Sequence, residues 1–350
     1  MQELLDDGLV AERRDRVAGR SGRPRASIEP VPARLAAVSL CVESRQLGAS
    51  LVDLAGGVLA ADERALAAGA DNAAVSRALA ELLGGLVGRA PASTRVVGAG
   101  LSLVGTVDPA GPTWVSAARW PRLRSLPLAP IARRVGIPVR AGRALDTALA
   151  LRLETDAAAA DRTVALLHWG FGIGAAVAHR GTLLGSSLGR FGEIGHVRTP
   201  GAAGRRCACG ARGCLETEAA LWALLPRLRR RLGSLPDDEL SLAGALAAPG
   251  VADLPEVRAA VRAVLDGLTT IHRLFFPDEV LLAGPLVENP AVFRFLSDGF
   301  AAGLPEYAVG KTTLAVLPGG LSACRTRSAG PLLRDALRTG LRRHDARRTT

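Results

Sequence analysis

The sequence predicts an α/β protein of two lobes, built on mixed sheets covered by helices. Three observations predict it. Of 350 residues, 48% are apolar and only 3% aromatic, the balance of a globular chain rich in alanine, leucine and valine. That length suffices for two lobes, or for a lobe pair with an appendage. Between Leu35 and Leu103 the apolar runs fall in the order strand, strand, strand, helix, strand, which is not the alternation of a doubly wound sheet.

In detail, Leu35 to Glu63 reads as two apolar strands joined by a turn and a third element after Gly56-Gly57. Asp71 to Leu86 has helical period, with Val75, Leu79, Leu82 and Leu83 on one side. Arg95 to Leu103 returns as a strand, and residues 136–154 are a short strand followed by a helix. Residues 163–184 are two strands flanking the turn Gly170-Phe171-Gly172-Ile173-Gly174. A lone G-x-G-x-G outside a strand-to-helix setting is weak evidence for a dinucleotide, and His168 and His179 read as local structural histidines. Thr217 to Gly233 predicts one helix with a basic end, residues 254–273 another, and Glu279 to Gly284 a buried strand. Residues 290–303 are helical, 312–318 form a strand, and the tail from Ser328 is helical before a charged, frayed end.

The chemistry concentrates between Gly192 and Glu216. His196, Cys207, Cys209 and Cys214 lie within nineteen residues, and three of the five cysteines of the chain are there. Three thiolates and an imidazole suit a closed tetrahedral zinc site of structural type. Gly210 and Gly213 permit the sharp reversal that brings the thiolates together. Plain reduced cysteines are the alternative, whereas a disulfide framework does not fit a chain this long without a secretory leader. The knuckle would hold the adjoining Glu193 and Glu216 in place.

The net charge of +11 is carried almost wholly by arginine, which points toward an anionic partner without specifying one. Arg13, Arg14, Arg16, Arg20, Arg23 and Arg25 make residues 1–40 a distinct arm, with Asp15 opposing them in its centre. Such an arm can neutralise phosphates or enter a minor groove, with Arg20, Arg23 and Arg25 as candidate DNA contacts, or it is a solvated linker. No apolar run reaches membrane-spanning length, and MQELLDDGLV is no leader, so a cytoplasmic protein is expected.

Two positions argue against phosphoryl transfer. The turn Glu43-Ser44-Arg45-Gln46 carries bulky side chains where a phosphate cradle needs bare backbone. At the end of the strand near residue 140, where an α/β enzyme would place a base, stand Ala141, Gly142, Arg143 and Ala144; an arginine cannot deprotonate a hydroxyl near neutral pH. Asp146 lies further along the helix and need not face the same way.

These residues resemble the ROK family (repressors, open reading frames, kinases), and within it the transcriptional-regulator branch. GEIGH at 192–196, CACGARGCLE at 207–216, GFGIG at 170–174, LVDLAGGVL at 51–59 and FFPDEVLLAG at 275–284 carry the resemblance over residues 35 to about 335. It implies an actin-like sugar kinase fold of the ribonuclease H-like class, two-lobed and dimeric. Structural zinc would sit on His196, Cys207, Cys209 and Cys214, and sugar hydroxyls on Glu193, His196 and Glu216. Family kinases carry D-x-G-G where this chain has residues 43–46 and E-N-D-A-N where it has 141–145, so that Arg143 replaces the catalytic aspartate and Gly142 a sugar-binding asparagine.

The stretches LLDDGLVAERRD and SGRPRASIEP match the end of a winged helix-turn-helix: recognition helix, strand, wing and linker. Its front is missing, and an internal start of the sequence is expected rather than a natural truncation. The expected division is 1–34 for this winged helix-turn-helix remnant, 35–140 for the first lobe, 141–320 for the second with its zinc loop, and 321–350 for a C-terminal helix returning toward the first. The expected function is a sugar-responsive repressor, not an enzyme. It would be a homodimer that takes a sugar or sugar-derivative effector, and DNA where the upstream module is present. The alternatives are an ATP-dependent sugar kinase with aberrant motifs and a sensor or dimerisation protein that does not bind DNA.

Overall fold

The computed structural model describes residues 2–14, 26–186, 189, 191–202, 204–321, 326–331, 333 and 334. Arg20, Arg23 and Arg25 therefore lie outside the described residues, as does Cys324.

The described chain opens with helix α1 (Gln2–Asp6) and the antiparallel pair β1 (Val10–Arg14) and β2 (Ala26–Pro30). A first five-stranded sheet follows, from β3 (Leu35–Glu43), β4 (Gln46–Asp53), β5 (Val58–Ala65), β6 (Arg95–Leu103) and, later in the chain, a strand at Val139–Arg143. Helix α2 (Asn72–Gly88) separates β5 from β6 and is capped by Asp71, whose carboxylate accepts the Ala74 amide. A small sheet of β7 (Thr106–Asp108), β8 (Thr113–Ser116) and β9 (Leu126–Pro127), unforeseen from sequence, and helix α3 (Ala129–Val135) lead to that strand, β10 (Val139–Arg143). Because Ala141 to Arg143 pair with Leu101 to Leu103, the first sheet runs past the division expected after residue 140.

The second lobe follows α4 (Ala144–Thr155) and the short α5 (Ala157–Ala160). Its strands are β11 (Thr163–Trp169), β12 (Ile173–His179) and β13 (Thr182–Leu183). Helices α6 (Glu216–Ala219), α7 (Leu221–Leu232), α8 (Glu239–Leu246) and α9 (Pro255–Phe275) come next, then β14 (Glu279–Ala283), α10 (Pro290–Gly303) and β15 (Thr313–Val316). The order β13-β12-β11-β14-β15 repeats that of the first sheet, β5-β4-β3-β6-β10: an antiparallel meander beside two parallel strands.

β11 and β14 are covered on both faces, by the α6–α10 side and by α4, which is why they read as continuous apolar runs. In the first lobe β3, β4 and β6 pack on α2 and α3 together with Trp114 and Trp120. Those two rings are fully buried, cross edge to face at 5.7 Å, and donate their indole N–H groups to the Val104 and Ala67 carbonyls. The opposite face of that sheet gathers Leu9, Leu35, Ala37, Val52, Ala329 and Leu333 into one cluster. Residues close to both ends of the described chain thus share a core.

The helix expected from Thr217 to Gly233 is broken in two. Ala220 is extended (φ −62°, ψ 145°) because the first amides of α7, Leu221 and Trp222, donate to the carbonyls of Gly170 and Phe171. Trp169 seals the break by donating its indole N–H to the Ala219 carbonyl. Tertiary acceptors in the glycine turn outweigh continuation of the helix.

His272, near the end of α9, is 1% exposed, packs against Phe276 and Phe300, and leaves both ring nitrogens without a partner. Burial, with Arg273 adding to it, lowers its pKa. Neutral imidazole in the fold and a free one in the unfolded chain mean that the unfolded state binds more protons; stability should fall as pH drops from about 6.5 toward the lowered value. His272→Phe is expected to remove that dependence and to stabilise the fold by about 1 kcal/mol, checked by denaturant unfolding at several pH values.

Candidate functional site

The knuckle is assembled by a loop that folds back on itself. Thr199 and Leu215 donate backbone N–H groups to Gly213 and Val197, and Cys207 donates to Ala211. Gly210 and Gly213 adopt the positive φ (94° and 78°) that the reversal requires. Arg205, inside the loop, is clamped to the buried Glu218, which also binds Arg227. His196, Cys207, Cys209 and Cys214 then present donor atoms that all lie within 4.8 Å of one another.

The geometry suits a tetrahedral ion. With zinc–sulfur and zinc–nitrogen bonds of about 2.3 and 2.0–2.1 Å, the edges of the tetrahedron are about 3.8 Å between sulfurs and about 3.6 Å between sulfur and nitrogen. Cys209 Sγ is 3.7 Å from Cys214 Sγ, and Cys207 Sγ is 3.6 Å from His196 Nδ1. Burial, and then its thiol neighbours, push Cys214 up to about 12, and burial raises Cys207 as well. Without a cation these thiols stay protonated; a dication would reverse that preference. The four residues can hold a metal.

The loop also packs directly against the second sheet. Gly192 and Gly195 let it lie directly on β12: a Cβ at Gly192 would stand 2.0 Å from the Ala175 carbonyl oxygen, and one at Gly195 would stand 2.4 Å from that of Ile173. Glu216 starts α6, where its Oε1 accepts the Ile173 amide at 2.7 Å and its Oε2 the Trp222 indole at 3.2 Å. Glu193 Oε2 lies 3.8 Å from His196 Nε2, so the imidazole turns Nδ1 to the thiols and Nε2 to the cleft. Loss of hydration raises the pKa of Glu193, with Arg143 and His196 opposing the rise and Glu216 adding to it. Glu193 thus lies within electrostatic reach of both His196 and Glu216.

Arg143 closes β10. Its side chain is only 5% exposed. Its two terminal nitrogens donate to the Phe191 and Ala175 carbonyls, the second at 3.1 Å, and it faces Asp146 at 3.7 Å. Burial raises the pKa of Asp146, and Arg143 limits the rise. The guanidinium is a structural brace between β10, β12 and the loop at Phe191.

Sequence reasoning missed a second cluster. Glu239, at the start of α8, lies between the lobes beside Arg119, His168, Phe171 and Ser44, with Arg45 on the nearby Asp237. The acidic run Asp237-Asp238-Glu239 signalled a helix start, since Asp238 caps α8 through the Ser241 amide. No local pattern could signal partners that lie scores of residues away in sequence.

Two sheets of the same layout, with Glu193 and Glu216 beside a Cys3His cluster on the second, define a fold of the actin-like, sugar-kinase type. The chain belongs to the ROK family, whose profile matches residues 45–313. It is 24% identical over 356 residues to the DNA-binding transcriptional repressor Mlc of Escherichia coli (strain K12), a match covering 97% of this chain and 86% of that protein. It is 36% identical to the kanosamine kinase of Amycolatopsis mediterranei (strain S699) over 123 residues, 35% of each chain.

Among solved structures, a ROK family transcriptional regulator homologous to the E. coli Mlc protein superposes with a TM-score of 0.76 at 21% identity, covering 97% of this chain and 88% of its own. A ROK family glucokinase from Streptomyces griseus, in complex with glucose and AMPPNP, gives 0.67 at 21% identity, covering 86% of this chain and 99% of its own. These likenesses establish the fold. Among the described residues no helix is long and apolar enough to cross a membrane.

Proposed function

We propose that the chain is the sensing body of a sugar-responsive ROK transcriptional repressor that binds its effector without phosphorylating it. The observation that carries this reading is Arg143. The groups suited to sugar hydroxyls, Glu193, His196 and Glu216, are retained, while the residue that would take the hydroxyl proton is replaced by a buried cation. Structural zinc on His196, Cys207, Cys209 and Cys214 would hold the first and last of those sugar groups in register. Zinc supplies no chemistry to the effector here, only rigidity.

The DNA-binding half of the reading is supported by coverage. The part of this chain left unmatched by the regulator structure is shorter than residues 1–34, whereas the glucokinase leaves a larger share unmatched. In the proposed scheme Arg20, Arg23 and Arg25 contact phosphates or the minor groove, and a homodimer sets the spacing of two DNA heads. Lobe closure on the effector would shift that spacing.

The local likeness to kanosamine kinase favours a rival, a sugar kinase with aberrant motifs. Purified protein incubated with ATP and a panel of hexoses and amino sugars is expected to release no sugar-dependent ADP. One of those sugars should still raise the thermal midpoint saturably and change the affinity of the protein for operator DNA. Sugar-dependent ADP release that is lost on Glu193→Ala would establish the kinase instead. Sugar binding with no sequence preference for DNA would leave the third reading, a sensor without DNA binding.

A further inference from the structure

We propose that Glu239 is a resident anion: its carboxylate fills an anion site that the two lobes build jointly, and so latches them together without a ligand. The donors come from both sides of the cleft. The first lobe supplies the guanidinium of Arg119, whose side chain is 5% exposed, while its turn Ser44-Arg45 accepts the Glu239 backbone N–H and pairs with Asp237. The second supplies the imidazole of His168 and the Phe171 amide from the glycine turn. Guanidinium, imidazole and a turn amide are together a set that can hold a phosphate oxygen.

Glu239 satisfies that set from within the chain. Its Oε1 accepts the Phe171 amide at 2.9 Å and Arg119 Nη2 at 3.4 Å, and its Oε2 lies 3.1 Å from His168 Nε2. Its own backbone N–H donates to the Ser44 hydroxyl at 2.9 Å. Arg119 also donates to the Asp237 carbonyl at 3.0 Å and lies over the Phe171 ring, while Arg45 faces the Asp237 carboxylate at 3.6 Å. Burial alone would raise the pKa of Glu239, yet His168, the Phe171 amide and Arg119 bring it down to about 2. The carboxylate is therefore held ionised. Donors remain in excess, because Arg45 Nε is buried with no acceptor.

This assignment explains the turn at residues 43–46 in positive terms. Ser44 has a positive φ (52°), which costs a serine backbone energy, and its hydroxyl is spent on the α8 amide of the other lobe. The turn thus serves as a strike plate for Glu239 instead of a cradle for an incoming phosphate.

Two variants test the latch, read out by solution scattering and thermal unfolding, so that failure leaves the reading of the protein as a DNA-binding regulator untouched. Glu239→Gln keeps the volume and deletes the charge; it is expected to enlarge the radius of gyration through an opened cleft, and an unchanged profile overturns the latch. Glu239→Ala vacates the site. Inorganic phosphate should then bind with a Kd on the order of 1 mM and restore the compact profile, relative to chloride at matched ionic strength. Wild type should show no such binding, and Glu239→Ala combined with Arg119→Ala should bind at least tenfold more weakly. Phosphate binding equal in wild type and Glu239→Ala, or absent from a folded Glu239→Ala, would refute the resident anion.

Discussion

On the proposed reading, Cys214→Ser is expected to cost the protein metal binding by the knuckle, several kcal/mol of stability and the response to a sugar effector together. Cys214 is fully buried, lies 3.7 Å from Cys209, and its carbonyl caps the turn that delivers Glu216 through the Thr217 amide and hydroxyl. Binding of a structural zinc is worth on the order of 10 kcal/mol in small fingers. Losing even part of that matters in a fold whose total margin is typically about 5–15 kcal/mol. The thermal midpoint should fall by roughly 10 °C. Elemental analysis should find one zinc per wild-type chain, and a strong chelator should reproduce the phenotype of the variant. Cys41→Ala, outside the knuckle, should leave the metal content unchanged. Wild-type protein expressed with ample zinc yet purified free of it would remove the basis of this expectation.

Arg143→Met is expected to destabilise the protein by roughly 3–5 kcal/mol, the usual cost of removing one partner from a buried charged network. The Phe191 and Ala175 carbonyls and the Asp146 carboxylate would all lose their donor. The loss should depend on pH with a definite sign. Asp146 already has a raised pKa because it is buried, and without Arg143 that rise grows. A carboxyl whose pKa is higher in the fold than in the unfolded chain favours folding at low pH and loses that contribution as pH rises through the folded value. The destabilisation should therefore be larger near neutrality than at about pH 5, and Asp146→Asn should recover part of it. Denaturant titrations at the two pH values decide the matter. Arg143→Asp should not create a kinase, because the turn at Ser44-Arg45 still engages Glu239 and Asp237.

Much of the architecture was legible because its signals are local. The apolar runs of β3, β11 and β14, the period of α2, and the helices at 254–273 and 290–303 follow from side-chain spacing alone, and the structure places them within a residue or two of the expected bounds. The break at Ala220 was not legible, since it depends on the Gly170 and Phe171 carbonyls being in reach of α7. The small sheet of β7, β8 and β9 was missed for a related reason: strands of two to four residues carry too few positions to show alternation.

The same division runs through the cleft. By itself the sequence brought the four candidate donors together, because chelation needs donors close along the chain and glycines where it reverses, and they span only His196 to Cys214. It also determined that position 143 carries no base. Tertiary structure alone decided what that arginine does, and that Glu239 meets Ser44, Arg119 and His168. Charge pairing across a cleft has no period and no fixed spacing; it is set by chain reversals that bring together residues as far apart as 44 and 239, so only the folded molecule can name the partners.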